Sequence, residues 1–563
     1  MFSPTSDGKP PSQSRQQPGS ACEECRRRKL RCDRQQPKCG LCIESGVVCN
    51  TSTSRPRGPK RGHLKALITR IAALESRLIE QQGEIVTGDH FLNLMEGSTF
   101  NGVPNEDQQR MQQYRTPTSD TETNSNNHFT DERPYELQPI SPGTCVSELM
   151  RADLDQSYFD RVHIFAPFLH RRRYFSWARE PVKSDSRTCL QFSMWTMAAS
   201  LSAQFQHLSH SLYRDTRQLL EALDSKDNRM EHIDIHQAQA WILLAIYEFM
   251  RMNYRRGWLS AGRSFRLVQL MRLYEIDSPS NSLAEQTKVP SPGDWVEIEE
   301  KRRTFWMAYT LDRLVSMHNE WPLTLNEQVI STRLPAPELE FQSGRPVLTG
   351  FLSEAIASSD HAILSSFVEC INLATICGRS ISHRQRSTVE RVYGDVSQDF
   401  WDRHQWLDDI LTQRMQILSL HYPSASEQVD PMLLFTNMVA QTTVIYLYKT
   451  IESMSWETGE YQIAVLSYEK RAMCAAKEIV MLAKALSQLS YFKVHPFTPI
   501  PLFICAEFLL THRDLDVSID IQLEEILEAL RDLKNVNNLA NDYLNLFEPE
   551  GDRGHFGHIE NRL

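Results

Sequence analysis

Apolar residues recur at alternating spacings of three and four along most of the chain, and no strand-like alternation is sustained. The first such run is Leu64, Leu67, Ile71, Leu74 and Leu78, within a stretch free of Gly and Pro from Leu64 to Gln82. It reads as the a/d seam of a coiled coil. Gln81 weakens the seam, leaving about three heptads, marginal for a helix alone in water. From Gly97 to Gly143 the chain is polar and poor in aliphatic residues, which predicts disorder. From about Leu149 the helical pattern returns. It predicts helices over Leu190–Leu208, Ala238–Met252, Trp258–Leu273, Glu297–Met317, Leu434–Met454 and Ile521–Leu533. The expected fold class is mostly α: a short coiled coil, a disordered linker and a large all-α body packed as a solenoid-like or irregular bundle.

Composition narrows this picture. A chain of 563 residues exceeds a single core and suggests roughly two to four domains. With 41% hydrophobic residues it can build a sizeable body, and 22 glycines are too few for a fold of many tight turns. No apolar run approaches the roughly 20 residues of a membrane span. The N-terminal stretch Met1 to Ser20 is polar and unlike a signal peptide, which points to the reducing side of the cell.

Charge and cysteine are unevenly placed. Residues 1–70 hold 15 Lys/Arg against 5 Asp/Glu, so within a total of −10 the head carries +10 and the remainder −20. A basic head on an acidic body suits a nucleic-acid binder. Six of the 12 cysteines lie between Cys22 and Cys49. The others, Cys145, Cys189, Cys370, Cys377, Cys474 and Cys505, sit among apolar residues and read as small buried hydrophobes.

The dense six are Cys22, Cys25, Cys32, Cys39, Cys42 and Cys49, and the second three repeat the first three at an offset of 17. Without an oxidising compartment, such density favours metal over a disulfide knot. Each half offers three thiolates, and a tetrahedral zinc needs four. Two zinc ions need eight sulfur bonds from six thiolates, so two sulfurs must bridge, and the equivalent pair Cys22 and Cys39 fits best. A segment this short folds only with metal-binding free energy. Between Cys25 and Cys32 stand Arg26, Arg27, Arg28, Lys29 and Arg31, with Leu30 the one uncharged residue. Between Cys42 and Cys49 no basic residue occurs. The first half is therefore expected to face DNA and the second to brace it.

The run Cys22-Glu-Glu-Cys25-Arg-Arg-Arg-Lys-Leu-Arg-Cys32-Asp33, then Pro37-Lys38-Cys39, resembles the fungal six-cysteine binuclear zinc cluster. The resemblance implies two Zn2+ ions bridged by the first and fourth cysteines, and a short helix entering the major groove of double-stranded DNA. It implies base readout of a CGG-like triplet by Lys29, aided by Arg28. It implies phosphate contacts by Arg26 and Arg31, and a loop shaped by Pro37. Arg27 and Lys38 complete the expected contact set in the module. One module reads few base pairs, so specificity is expected from a homodimer reading paired triplets. The Pro-, Gly- and Ser-rich linker after Cys49 adds Arg55, Arg57, Lys60 and Arg61 as phosphate contacts and, with the first basic run, as a nuclear import signal. The seam Leu64, Leu67, Ile71, Leu74 and Leu78 is the expected dimer contact.

Residues from about Asp155 to Pro337 resemble the regulatory middle region of fungal zinc-cluster factors, through Glu300-Lys301-Arg302-Arg303-Thr304-Phe305-Trp306, Tyr309, Leu311-Asp312-Arg313, Trp321-Pro322 and Leu334-Pro335. Where that family commonly has a glycine near the Trp-Pro turn, this chain has Glu320. The expected division is a disordered tail over 1–21, the cluster over 22–49, a basic linker over 50–63, a coiled-coil helix over 64–86 and a disordered linker over 87–148. A regulatory region over 149–340, its helical continuation over 341–540 and an acidic tail over 541–563 follow.

An enzyme is not expected. There is no phosphate-binding G-x4-G-K-[S/T], no G-x-G-x-x-G after a strand and no G-x-S-x-G elbow. His232 and His236 have metal-pair spacing but lack the H-E-x-x-H glutamate and read as a helix start. RNA binding by the head would want stacking aromatics, and residues 22–63 contain none. The mixture of acids with Tyr543, Leu544, Leu546 and Phe547 has two readings: a coactivator-recruiting segment, or a helix end docked on the body. The sequence therefore describes a nuclear, zinc-dependent, sequence-specific regulator of RNA polymerase II transcription. Its body is expected to act by masking, dimer support or sensing a small-molecule effector. From resemblance alone, such regulators often govern nutrient use or secondary-metabolite gene clusters.

Overall fold

The computed structural model describes residues 22–33, 35, 38–49, 143–144, 146–225, 233–278, 292–357, 363–393, 398–422, 430–454 and 459–547. They fall into two units, one before and one after residue 132. The predicted coiled coil, nearly all of the polar gap Gly97–Gly143 and the linker cations Arg55, Arg57, Lys60 and Arg61 lie outside the described residues. Among the described residues there are helices and no strand, as the periodicity predicts.

The first unit contains two short helices, α1 (Glu23–Arg27) and α2 (Gly40–Glu44). The second begins with α3 (Glu148–Ser157), which continues through a π turn at Tyr158–Val162, and α4 (Arg171–Trp177). Then come α5 (Asp185–Ser200), α6 (Gln206–Ser225), α7 (Ile235–Arg251), α8 (Tyr254–Leu270) and α9 (Pro292–Met317). Two short helices, α10 (Glu338–Ser343) and α11 (Leu352–Ala357), precede the long α12 (Ser366–Tyr393) and α13 (Gln398–His421). The last five are α14 (Pro431–Glu452), α15 (Gly459–Leu486), α16 (Pro499–Thr511), α17 (Ser518–Leu533) and α18 (Asn538–Phe547).

All six predicted helices start earlier than apolar spacing suggests, four of them behind polar caps, and the stretch predicted as one helix over Leu190–Leu208 is divided between α5 and α6. Ser184, Asp234, Asn253 and Asp430 each accept a backbone N–H from the first turn of α5, α7, α8 and α14. Such caps satisfy donors that have no partner within the helix. His236 follows its cap, and its Nδ1 lies 2.9 Å from Asp234 Oδ2, so its role is that of a helix start. His232 lies outside the described residues.

One contiguous core runs from Val146 to Phe547. The expected boundary at 340 falls inside α10 and the one at 540 inside α18, so neither separates folded units. In α18, Tyr543, Leu544 and Phe547 are buried, and Tyr543 stacks on Phe503 of α16. Apolar contact therefore docks residues 541–547, leaving the rest of the expected tail, 548–563, outside the described residues. Cys189, Cys370, Cys377 and Cys505 are buried as expected, and desolvation pushes the Cys370 and Cys377 thiols up to about 12. Cys474 is exposed, contrary to expectation: it lies on a solvent-facing turn of α15, where spacing from apolar neighbours misleads. Cys145 lies outside the described residues.

Buried charges knit the helices together. Arg303 of α9, fully buried, donates to Glu299 (3.1 Å), to Glu338 (2.6 Å) and to the carbonyls of Pro167 (2.6 Å) and Ala336 (2.7 Å). Asp312 pairs with Arg313 (2.9 Å) and caps the backbone N–H of Thr324 and Leu325. Glu320 has φ +50, so it holds the left-handed conformation a glycine would adopt, anchored by Arg384 Nε (2.9 Å). These residues serve packing. Removing a buried partner strands the other charge. Arg303→Ala is therefore expected to cost about 3–5 kcal/mol. Lys301→Ala, two residues away in an exposed pair with Glu297, should cost under about 1 kcal/mol. Denaturant midpoints of the two variants check the contrast.

Candidate metal centre and nucleic-acid interface

Sulfur, rather than carbon, fills the interior of the first unit. Cys22, Cys25, Cys32, Cys39 and Cys42 are buried, Cys49 is half-buried, and Leu41 and Val47 only pack against the edge. Helices as short as α1 and α2 do not persist alone in water. The sulfurs gather in two groups of four, Cys22, Cys25, Cys32, Cys39 and Cys22, Cys39, Cys42, Cys49, with all atoms of a group within 4.8 Å of one another. Cys22 and Cys39 belong to both groups. Zinc–sulfur bonds of about 2.3 Å in a tetrahedron require sulfurs about 3.8 Å apart. The separations Cys22–Cys39 (3.7 Å), Cys22–Cys42 (3.7 Å) and Cys25–Cys39 (3.6 Å) fit that edge. The residues present therefore suit two zinc ions sharing two sulfurs. The Cys25 backbone N–H pulls the Cys22 thiol down to about 6, whereas burial pushes Cys25 up to about 12. Metal is what lets such crowded sulfurs all ionise, and binding it releases protons.

The 17-residue repeat extends from sequence to backbone. Arg28 N donates to Glu24 O (3.0 Å) as Ser45 N does to Leu41 O (3.1 Å), and Leu30 N donates to Cys25 O (2.9 Å) as Val47 N does to Cys42 O (3.1 Å). Both helices thus end in the same left-handed cap. The second half places Gly46 there, φ +66, and the first half places Lys29, φ +56. The halves are tied by Asp33, whose two carboxylate oxygens accept from Gly40 N (3.0 and 2.9 Å) at the start of α2. A Cβ on Gly40 would lie 2.7 Å from Asp33 Oδ2, so a larger residue there would push the carboxylate aside.

The cations of the first half are distinguished by their partners. Glu24 accepts from Arg27 Nη2 (2.7 Å) and pairs with Arg28 Nε (2.6 Å). Lys29, Arg31 and Lys38 are exposed and form no ion pair among the described residues. Arg26 lies on α1, and its side chain is outside the description, as is Pro37. Arg27, Arg28, Lys29, Arg31 and Lys38 are all exposed in the first unit. Reading residues singly misses Glu24, Asp33 and the left-handed site of Lys29. The signal for the last was present, because adding 17 to Lys29 gives Gly46.

Lys29 in a left-handed conformation carries a strain of about 1–2 kcal/mol that glycine lacks. Lys29→Gly is therefore expected to keep the fold and full zinc content, with stability equal or higher by up to about 1 kcal/mol. DNA selectivity should fall, since the ammonium is lost. Metal analysis beside DNA binding checks this, and loss of zinc would show the side chain to be structural.

The sequence matches known families and proteins. Residues 20–58 match the model of the fungal Zn(2)-Cys(6) binuclear cluster domain, and residues 156–346 that of the fungal specific transcription factor domain. The pigment biosynthesis transcriptional activator pigB of Monascus ruber is 51% identical, over 97% of this chain and 97% of its own length. The citrinin biosynthesis transcriptional activator ctnR of Monascus purpureus is 48% identical, over 96% of this chain and 94% of its own length. The azaphilone cluster-specific transcription factor azaR of Aspergillus niger is 47% identical, over 85% and 96%. Such a cluster domain holds two zinc ions. The chain belongs to the fungal zinc-cluster transcription factors, which are DNA-binding regulators and not enzymes.

Proposed function

We propose that this chain is a nuclear, pathway-specific transcriptional activator that binds DNA as a homodimer and switches on one secondary-metabolite gene cluster. The observation carrying the DNA reading is the exposed, unpaired Lys29 on a segment fixed by buried sulfur. The pathway class rests on the printed roles of relatives matched over nearly the whole chain. Cys22 and Cys39 bridge the two zinc ions, and Cys25, Cys32, Cys42 and Cys49 complete them. Lys29 reads base edges, while Arg26, Arg27, Arg28, Arg31 and Lys38 position the module on phosphate. Arg55, Arg57, Lys60 and Arg61 extend the phosphate contacts and serve nuclear import. Leu64, Leu67, Ile71, Leu74 and Leu78 pair two chains, and the helical body governs activity and meets coactivators.

Selection of random DNA by the zinc-loaded full chain tests this reading. Two CGG-like triplets at one spacing are expected; enrichment of single triplets would remove the dimer, and no enrichment would remove sequence readout. Charging Leu67 and Leu74 should weaken binding to paired triplets more than to single ones, and equal loss would count against the coiled coil. Cys22→Ser or Cys39→Ser should deplete both zinc ions, whereas Cys25→Ser should spare the one it does not touch. Native mass spectrometry reads the stoichiometry, and full occupancy in the Cys22 or Cys39 variant would refute bridging.

A further inference from the structure

The helical body contains a cavity of about 740 Å3 between α13, α14 and α15. Its floor is one face of α14, formed by Leu433, Asn437, Gln441 and Val444. Most of the rest of α14 is buried against neighbouring helices, and along this strip Leu433, Asn437 and Gln441 are only half-buried. The walls α13 and α15 meet at one end. There Arg471 donates to Asp408 (2.5 Å) and to Thr412 (3.1 Å), and the Tyr468 hydroxyl donates to Asp408 (3.0 Å). Beyond that clasp the cavity lies between the two helices, with Met415 and Leu418 on one side and Ala475 and Leu482 on the other.

The polar groups of this space define its ligand. Asn437 and Gln441 stand one turn apart on an otherwise apolar floor. The Asn437 amide nitrogen donates to Leu433 O (3.1 Å), which leaves its oxygen to accept, and Gln441 has no hydrogen-bond partner among the described residues. The charges around the cavity are largely spent. Arg471 is held by Asp408, and Asp430 caps α14 and accepts from Ser366. The two carboxylates left without an ion pair among the described residues are Asp430 and, at the rim, Glu478, which disfavours an anion. The volume is that of sites for drug-sized molecules, in which a few amides orient an apolar body.

We propose that this cavity is an effector site for an uncharged, largely apolar ring compound bearing carbonyl or hydroxyl oxygens. The amides of Asn437 and Gln441 would hydrogen-bond those oxygens. Binding would join α13 and α15 across α14, fastening a part of the core that is otherwise clasped at one end.

The full-length, zinc-loaded protein offers a readout that does not pass through DNA, so this site and the DNA reading can fail separately. Nile red, a neutral fused-ring dye with a carbonyl, is expected to bind saturably with one dye per chain. Ala475→Phe fills the cavity from α15 and Gln441→Phe fills it from the floor, and each should weaken the dye about tenfold or more. The second position is half-exposed, so that variant should keep the thermal midpoint of the parent even if the first loses stability. The anionic dye anilinonaphthalene sulfonate should bind more weakly, and Glu478→Lys should strengthen it while leaving Nile red unchanged. Cys474 also lines the cavity and is the one exposed cysteine among the described residues. Its alkylation by N-ethylmaleimide, followed by peptide mass spectrometry, should slow when Nile red is present. Non-saturable dye uptake, or uptake indifferent to both filling variants, overturns the proposal.

Discussion

Metal–sulfur bonding takes the place of hydrophobic burial in residues 22–49, and the placement of its exposed cations depends on it. The cysteines are the interior, and hardly any aliphatic side chain stands behind them. Two helices of about one turn each gain a fixed orientation because Cys25 and Cys42 sit within them and sulfur shared with the neighbouring half ties them together. Once the sulfurs are in place, the basic run between Cys25 and Cys32 has nowhere to turn but outward. The same cysteines thus fix both the fold of this segment and the direction in which its cations point.

The body obeys the opposite economy. Its apolar core is large enough to hold buried ions such as Arg303 with Glu299 and Arg414 with Glu369, the latter with Nε–Oε2 at 2.7 Å. Such pairs add little net stability against a well-packed apolar alternative, yet they penalise any rearrangement that separates them. Through its further contact with Glu338, Arg303 joins α9 to α10, and the Arg414–Glu369 pair joins α12 to α13, so these ions fix which helices neighbour each other. The strained Glu320 has the same logic: its backbone cost is met by Arg384 from a helix distant in sequence.

Legibility in the sequence followed whatever was periodic. The cysteine repeat gave the two sulfur groups and the pair that belongs to both, and the three-four spacing gave the all-α body and six of its helices, but not the long α6, α12, α13 and α15. Features made by a single contact were not legible. The caps at Ser184 and Asp430 lengthened helices beyond their apolar stripes. The Asp33–Gly40 clasp and the hold of Glu24 on two arginines involve acids inside a basic segment, where charge counting passes over them. Cys474 shares its neighbours' composition but not their orientation, and α18 crosses an expected boundary because Tyr543 and Phe547 pack inward. The cavity over α14 depends on how two helices flank a third, which no local pattern encodes.

The equivalence of Lys29 and Gly46 also has a directional consequence. The cluster is nearly a two-fold object in its ligands and helix ends, but one half is armed with cations and the other ends in a bare turn. A symmetric reader would fit a stretch of duplex equally well in either sense. This one carries a head and a tail, so a copy reading with its cationic half would impose a polarity on the bases it covered. Tethering two such readers would make the relative sense of their sites information in its own right, so that inverting a half-site would tell one regulator from another as readily as a base change.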